Sequence, residues 1–183
     1  MASWRESVSP HSGGTVPDSH RSSLTARRLW RQSSIASVSR LALALDLDGV
    51  VADTRPLWDA WLEDAARRLR VELDLPPDRV AAAAALDAAL GEWRPLLARF
   101  AADRAPLWVK PRAETNALLR RLAAAGARIG VFSDAPRELA ELTLAHAGLA
   151  RRVEVVGTLA EVRAALGPGV VVVRSRRQLA ELR

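Results

Sequence analysis

The chain has 183 residues, 49% of them apolar, with 10 Gly and 10 Pro, the size of one domain with room for a small insertion. Having no cysteine, it lacks a disulfide framework, a thiolate-held zinc or iron–sulfur centre and a thiol nucleophile, and the cytoplasm is the expected compartment. No run of eighteen apolar residues occurs, and the start lacks the basic, apolar and small-residue order of a secretory signal, so neither a membrane span nor export is expected.

The formal charge is +6, and its distribution decides what it means. Residues 1–40 hold Arg5, Arg21, Arg27, Arg28, Arg31 and Arg40 against Glu6 and Asp18, which leaves the remainder only two charges positive. A basic tail on a nearly neutral body gives no reason to expect a nucleic-acid partner.

That tail carries Ser, Arg, Gly, Pro and His without a helical or strand period, a composition that cannot bury enough surface to order itself. Residues 1–40 are therefore expected to be disordered. An Arg- and Ser-rich, acid-poor leader also suits a transit peptide. The preferred reading is a start assigned too far upstream, because Val38 directly precedes Ser39-Arg40 and the first strand, and Met1 is the sole methionine.

From residue 41 the chain reads as α/β, with the apolar run Leu41–Leu45 suiting a strand buried on both faces. Further strands are expected at Ile129–Phe132, Val153–Val156 and Val170–Val173. Helical segments between them imply a doubly wound parallel sheet. The first strand should be central, flanked by strands near 128–132 and 170–173.

Helix signals include Pro136 in the first turn of a helix ending before Gly148. Thr158 with Glu161 and Ser175 with Gln178 look like capping boxes, and Asp134 like an N-cap. About eighty residues separate the first two strands, far more than a crossover needs. Helices are expected over Pro56–Arg70, Pro77–Leu90 and Glu92–Arg104, with a return helix near Ala113–Ala125. The expected organisation is thus a core of 41–55 and 106–183 with a helical insertion at 56–105.

The chemistry gathers where the first strand ends, in Asp46-Leu47-Asp48-Gly49-Val50-Val51-Ala52-Asp53-Thr54. Two carboxylates emerge where a parallel strand opens onto the binding crevice, and burying them unpaired is costly, so a cation or phosphoryl ligand is expected beside them. A calcium loop beginning at Asp46 fails, since its sixth and twelfth positions are Val51 and Leu57 rather than Gly and an acid.

This segment resembles the first motif of the haloacid dehalogenase superfamily, mostly phosphatases built on a Rossmannoid core with a cap. The resemblance implies Asp46 as a nucleophile that takes the phosphoryl group and Asp48 as the general acid and base. Gly49 would turn the chain sharply toward the cap. Gly130-Val131-Phe132-Ser133-Asp134 looks like the second motif, with Ser133 as the phosphate-binding hydroxyl beside a helix N-terminus.

The insertion is similar in placement to the superfamily's cap, and Trp58, Trp61, Trp93 and Trp108 either line a specificity pocket or pack its core. The third motif's lysine is missing. Lys110 lies too early, and Arg151, Arg152 and Arg163 are unselected stand-ins. The terminal acid is missing too, Arg174 standing after the last strand.

The resemblance therefore implies a phosphate set of Ser133, Asp134, Gly49 and Arg174, and an incomplete Mg²⁺ site at Asp46 and Asp48. Metal dependence should be weakened, with Arg174 taking over part of the ion's electrostatic work. The expected activity is phosphomonoester hydrolysis on a small phosphorylated metabolite. The alternative is a degenerate relative that binds such a ligand, or a partner, without turnover.

Overall fold

A computed structural model describes residues 41–70 and 72–182; the expected tail of 1–40, and both readings of its origin, lie outside the described residues. The chain is an α/β protein with a four-stranded, wholly parallel sheet in the order β3-β2-β1-β4. The strands are β1 (Ala42–Asp46), β2 (Arg128–Phe132), β3 (Val155–Gly157) and β4 (Val171–Val173). Each lies within two residues of its expected place.

Strand β1 is central because both its faces are apolar, and the faces differ in size. Leu43 and Leu45 point into the larger core with Ile129, Val131 and Val173, while Ala42 and Ala44 point into a smaller one with Phe132, Val162 and Leu166. Helices α4 (Ala113–Ala124), α5 (Arg137–His146) and α7 (Arg176–Ala180) cover the leucine face. Helix α6 (Leu159–Leu166) covers the alanine face and approaches closely. A Cβ at Gly130 would stand 2.6 Å from Val162 and 2.9 Å from Val155, so the small residues of β1 and β2 admit this helix. With helices on both faces the sheet is doubly wound, and its direction of winding reverses between β1 and β4. That crevice is where open parallel sheets bind ligands.

Between β1 and β2 run α1 (Arg55–Leu69), α2 (Arg79–Leu90) and α3 (Trp93–Trp108) before the return helix α4. Pro56 starts α1, and Arg70 ends it with a left-handed φ of 55°. Asp78 caps α2 by accepting from Ala81 N at 2.8 Å, a cap one residue inside the expected start at Pro77. Helix α3 continues to Trp108 rather than Arg104, with Pro106 inside its last turn.

Trp58, Trp61 and Trp93 stack on one another with centroids 5.3 to 6.0 Å apart and are buried, whereas Trp108 is exposed. The three buried tryptophans thus pack within the insertion, and Trp61 and Trp93 also border a pocket there. No described helix is long and apolar enough to cross a membrane.

Two capping expectations are corrected. Helix α5 is capped by Pro136 without a side-chain bond, so Asp134 is not its N-cap. Ser175 does accept from Gln178 N, but the Gln178 side chain accepts from Arg174 N at 2.7 Å, which makes this a single cap. The box at Thr158 and Glu161 is complete.

Candidate functional site

Register brings the strand ends to one edge. Asp46 pairs with Phe132, Phe132 with Gly157 and Leu45 with Val173, so the residues following β2, β3 and β4 emerge beside Asp46. There a cleft of 530 Å³ is lined by Asp46, Asp48, Gly49, Ser133, Asp134 and Arg174, the residues of the expected catalytic, phosphate and metal sets; Lys110, Arg151, Arg152 and Arg163 do not line it. Arg55, Arg79, Val80 and Leu159 also line it.

After Asp46 the chain makes one wide helical turn over Leu47–Val51 that buries Leu47, Val50 and Val51 and leaves the aspartates at the rim. Asp46 Oδ1 accepts from Gly49 N at 3.1 Å, which fixes its carboxylate over the turn. Gly49 is required by close approach: a Cβ there would overlap the Arg174 carbonyl oxygen. The β1 turn and the end of β4 are thus in direct backbone contact.

Asp48 is held by three donors. Its Oδ1 accepts from Thr54 N at 2.7 Å and from Thr54 Oγ1 at 2.6 Å, and its Oδ2 accepts from Arg79 Nη2. The same nitrogen also donates to Asp134 Oδ1, and Arg79 Nη1 donates to Thr54 Oγ1 at 2.8 Å. Arg79 is only 6% exposed. Burial alone would lower its basicity, but the hydrogen bonds and charges of Asp134 and Asp48 outweigh burial and hold it above the ordinary arginine value. Asp134 therefore serves this ion pair rather than a helix cap.

Ser133 Oγ accepts from Ala135 N at 3.0 Å, which leaves its hydroxyl proton for a ligand. Arg174 is exposed, and its guanidinium lies 5.2 Å from the Phe132 ring centroid. Arg55 is engaged by Asp53 at 2.8 and 2.9 Å; those bonds hold the Asp53 carboxyl below its usual range despite partial burial.

Arg79, Thr54 and Arg55 were not singled out as site residues from the sequence. Thr54 closes the motif that contains the aspartates but is separated from Asp48 by a full turn. Arg79 did carry a signal: it is a cation in the first turn of an alanine-rich helix, where the macrodipole disfavours positive charge, so it needs an anionic partner from elsewhere.

The donor set can be compared with what a divalent ion needs. Magnesium takes near-octahedral oxygen ligands, commonly one or two carboxylates with retained waters. Here Asp48 and Asp134 are engaged by a guanidinium, β4 is followed by Arg174 rather than an acid, and no three His, Cys, Asp or Glu side chains gather as a metal site among the described residues. The expected Mg²⁺ pair of Asp46 and Asp48 does not fit the ion.

A second pocket, of 520 Å³, lies between α1 and α3 against Trp61, Leu69, Trp93, Leu96 and Phe100. It holds none of these strand-end groups.

No family model matches the chain, and no curated protein does. Among solved structures it is similar to a Thermotoga maritima protein described provisionally as a beta-phosphoglucomutase. The match has 18% identity and a TM-score of 0.45, and it covers 72% of this chain and 74% of that one.

Proposed function

We propose that the chain is a haloacid dehalogenase-type hydrolase that removes the phosphoryl group from a small phosphorylated metabolite. The observation that carries this reading is the convergence of Asp46, Asp48, Ser133 and Arg174 on one cleft at the winding reversal of a parallel sheet. An Asp46 carboxylate oxygen attacks phosphorus and the ester oxygen departs, giving an aspartyl phosphate. Asp48 delivers the proton that the departing oxygen needs, then takes one from the water that opens the acyl phosphate. Ser133 Oγ and the Arg174 guanidinium bind the phosphoryl oxygens, the latter as a two-pronged donor.

Asp48 must leave the Arg79 bond to act as an acid, since both its oxygens are occupied as acceptors. The same observation favours a second reading, in which the site binds a phosphorylated ligand without turnover.

Phosphate release from an aryl phosphate and a panel of metabolite phosphates, measured with Mg²⁺ and with chelator, separates the two. Turnover that falls on the order of 10³-fold or more in Asp46→Asn supports the hydrolase. Ligand binding without turnover by a folded wild type supports the second reading. Turnover that Asp46→Asn leaves unchanged overturns Asp46 as the nucleophile.

A further inference from the structure

Asp48 and Asp134 meet on one guanidinium nitrogen in the cleft that Asp46 also lines, and holding two carboxylates so close requires positive charge. Phosphoryl-transfer sites commonly draw that charge from a metal ion. Here the chain delivers it from the insertion. Asp78 caps α2 and sets Arg79 at its first position, from which the side chain crosses to the core. One nitrogen pairs with both Asp48 and Asp134, and the other binds Thr54, itself fully buried. The guanidinium thus joins the ends of β1 and β2 and occupies Asp48 and Asp134, while Asp46 accepts from Gly49 N.

We propose that Arg79 is the resident counter-ion of the Asp48–Asp134 carboxylate pair, a positioning residue that takes the structural place of a divalent cation and excludes one. The guanidinium cannot be titrated away at ordinary pH, so the negative charge of the pair is reduced permanently rather than by ion uptake. The inference concerns the pair's own charge balance and holds whether or not the chain turns over a phosphate ester.

The test is Mn²⁺ uptake by the intact protein, followed by electron paramagnetic resonance, together with the effect of Mg²⁺ and Mn²⁺ on melting temperature. Wild type should show no stoichiometric uptake and no metal-dependent melting shift. Arg79→Gln leaves the carboxylates uncompensated and should bind Mn²⁺ at least about tenfold more tightly than wild type, with a rise in melting temperature on adding metal. Arg79→Lys, which keeps the charge, should behave as wild type.

Adding Asp48→Asn and Asp134→Asn to Arg79→Gln should abolish the metal gain. If Arg79→Gln alone fails to fold, that triple variant should recover folding without metal, because the repelling charges are gone. Tight stoichiometric Mn²⁺ binding by wild type overturns the proposal. So does an Arg79→Gln protein that binds metal no better than wild type, or an unfolded one that the triple variant does not restore.

Discussion

Arg79 and Arg174 line the same cleft and are held in opposite ways. Arg79 reaches it from the insertion, is buried, and spends its donors on Asp48, Asp134 and Thr54. Arg174 reaches it from the end of β4, is exposed, and rests over the Phe132 ring. A buried guanidinium paired with a buried carboxylate contributes to structure, because removing Arg79 strands the Asp48 charge with little water to turn to, even though Arg79 Nε is itself without a partner. An exposed guanidinium with its donors at the cleft is available to a ligand. The contrast sets a buried ion pair against an exposed guanidinium at one cleft.

The sharpest way to break the contrast is to truncate each arginine in turn. Arg79→Met should destabilise the fold by about 3 kcal/mol, the lower end for removing one partner of a buried pair, because Asp48 is largely buried while Asp134 is half exposed. Arg174→Met should change stability by less than about 1 kcal/mol, the scale of its stacking on Phe132, yet weaken binding of inorganic phosphate. Urea denaturation and phosphate titration of the two variants check this, and equal stability losses would erase the distinction.

Gly49 tests whether the two regions share a frame. Gly49→Ala should cost about 1–3 kcal/mol, as overpacking does, because its Cβ would overlap the Arg174 carbonyl oxygen. The backbone must shift, so phosphate affinity should fall with melting temperature. A variant as stable as wild type would show that the β1 turn and the end of β4 move independently.

Thr158→Ala should cost about 1 kcal/mol in the same denaturation measurement. It removes one half of the capping box that starts α6, the helix seated on the alanine face of β1. Phosphate affinity should stay unchanged, since Thr158 does not line the cleft.

These differences also explain what the sequence could and could not reveal. Strands β1 and β2 were legible because unbroken apolar runs of strand length leave few alternatives, and the place of Asp46 and Asp48 was legible because a strand's carboxyl end sets it, whereas Ser133 was selected by resemblance to a second motif. Arg174 was selected because it stands after the last strand where the resemblance leads one to expect an acid. Arg79 was not, because its partners are 31 and 55 residues away and only the packing of α2 against the sheet edge brings them together. Asp134 was misread for the complementary reason. Ser-Asp before a proline is good local capping chemistry, and a distant guanidinium outweighed it. Helix α3 runs past the expected Arg104 with Pro106 in its last turn, and it closes with Val109 N donating to Ala105 O at 2.8 Å.

The smallest effect is expected at the rim, where Asp53 and Arg55 form a two-pronged pair beside the cleft. Hydrogen bonds from Arg55 lower the Asp53 carboxyl against the opposing influence of burial. A carboxylate whose folded value is depressed adds stability above its unfolded value, about 3.9 for aspartate, and loses it as pH falls through the lower folded one. The contribution should therefore be full at neutral pH and fade only below about pH 4. Because both side chains are largely exposed, at 64% and 44%, screening by water and salt limits it to about 0.5 kcal/mol or less. Asp53→Asn should accordingly shift the urea midpoint slightly at pH 7, by an amount that diminishes as pH falls below about 4. By contrast, the high basicity of Arg79 adds stability that is complete below the ordinary arginine value and is lost only when pH rises through the raised one. Its charge is therefore constant over the accessible range, and a loss comparable to that of Arg79→Met on replacing Asp53 would place the structural ion pair at the rim instead.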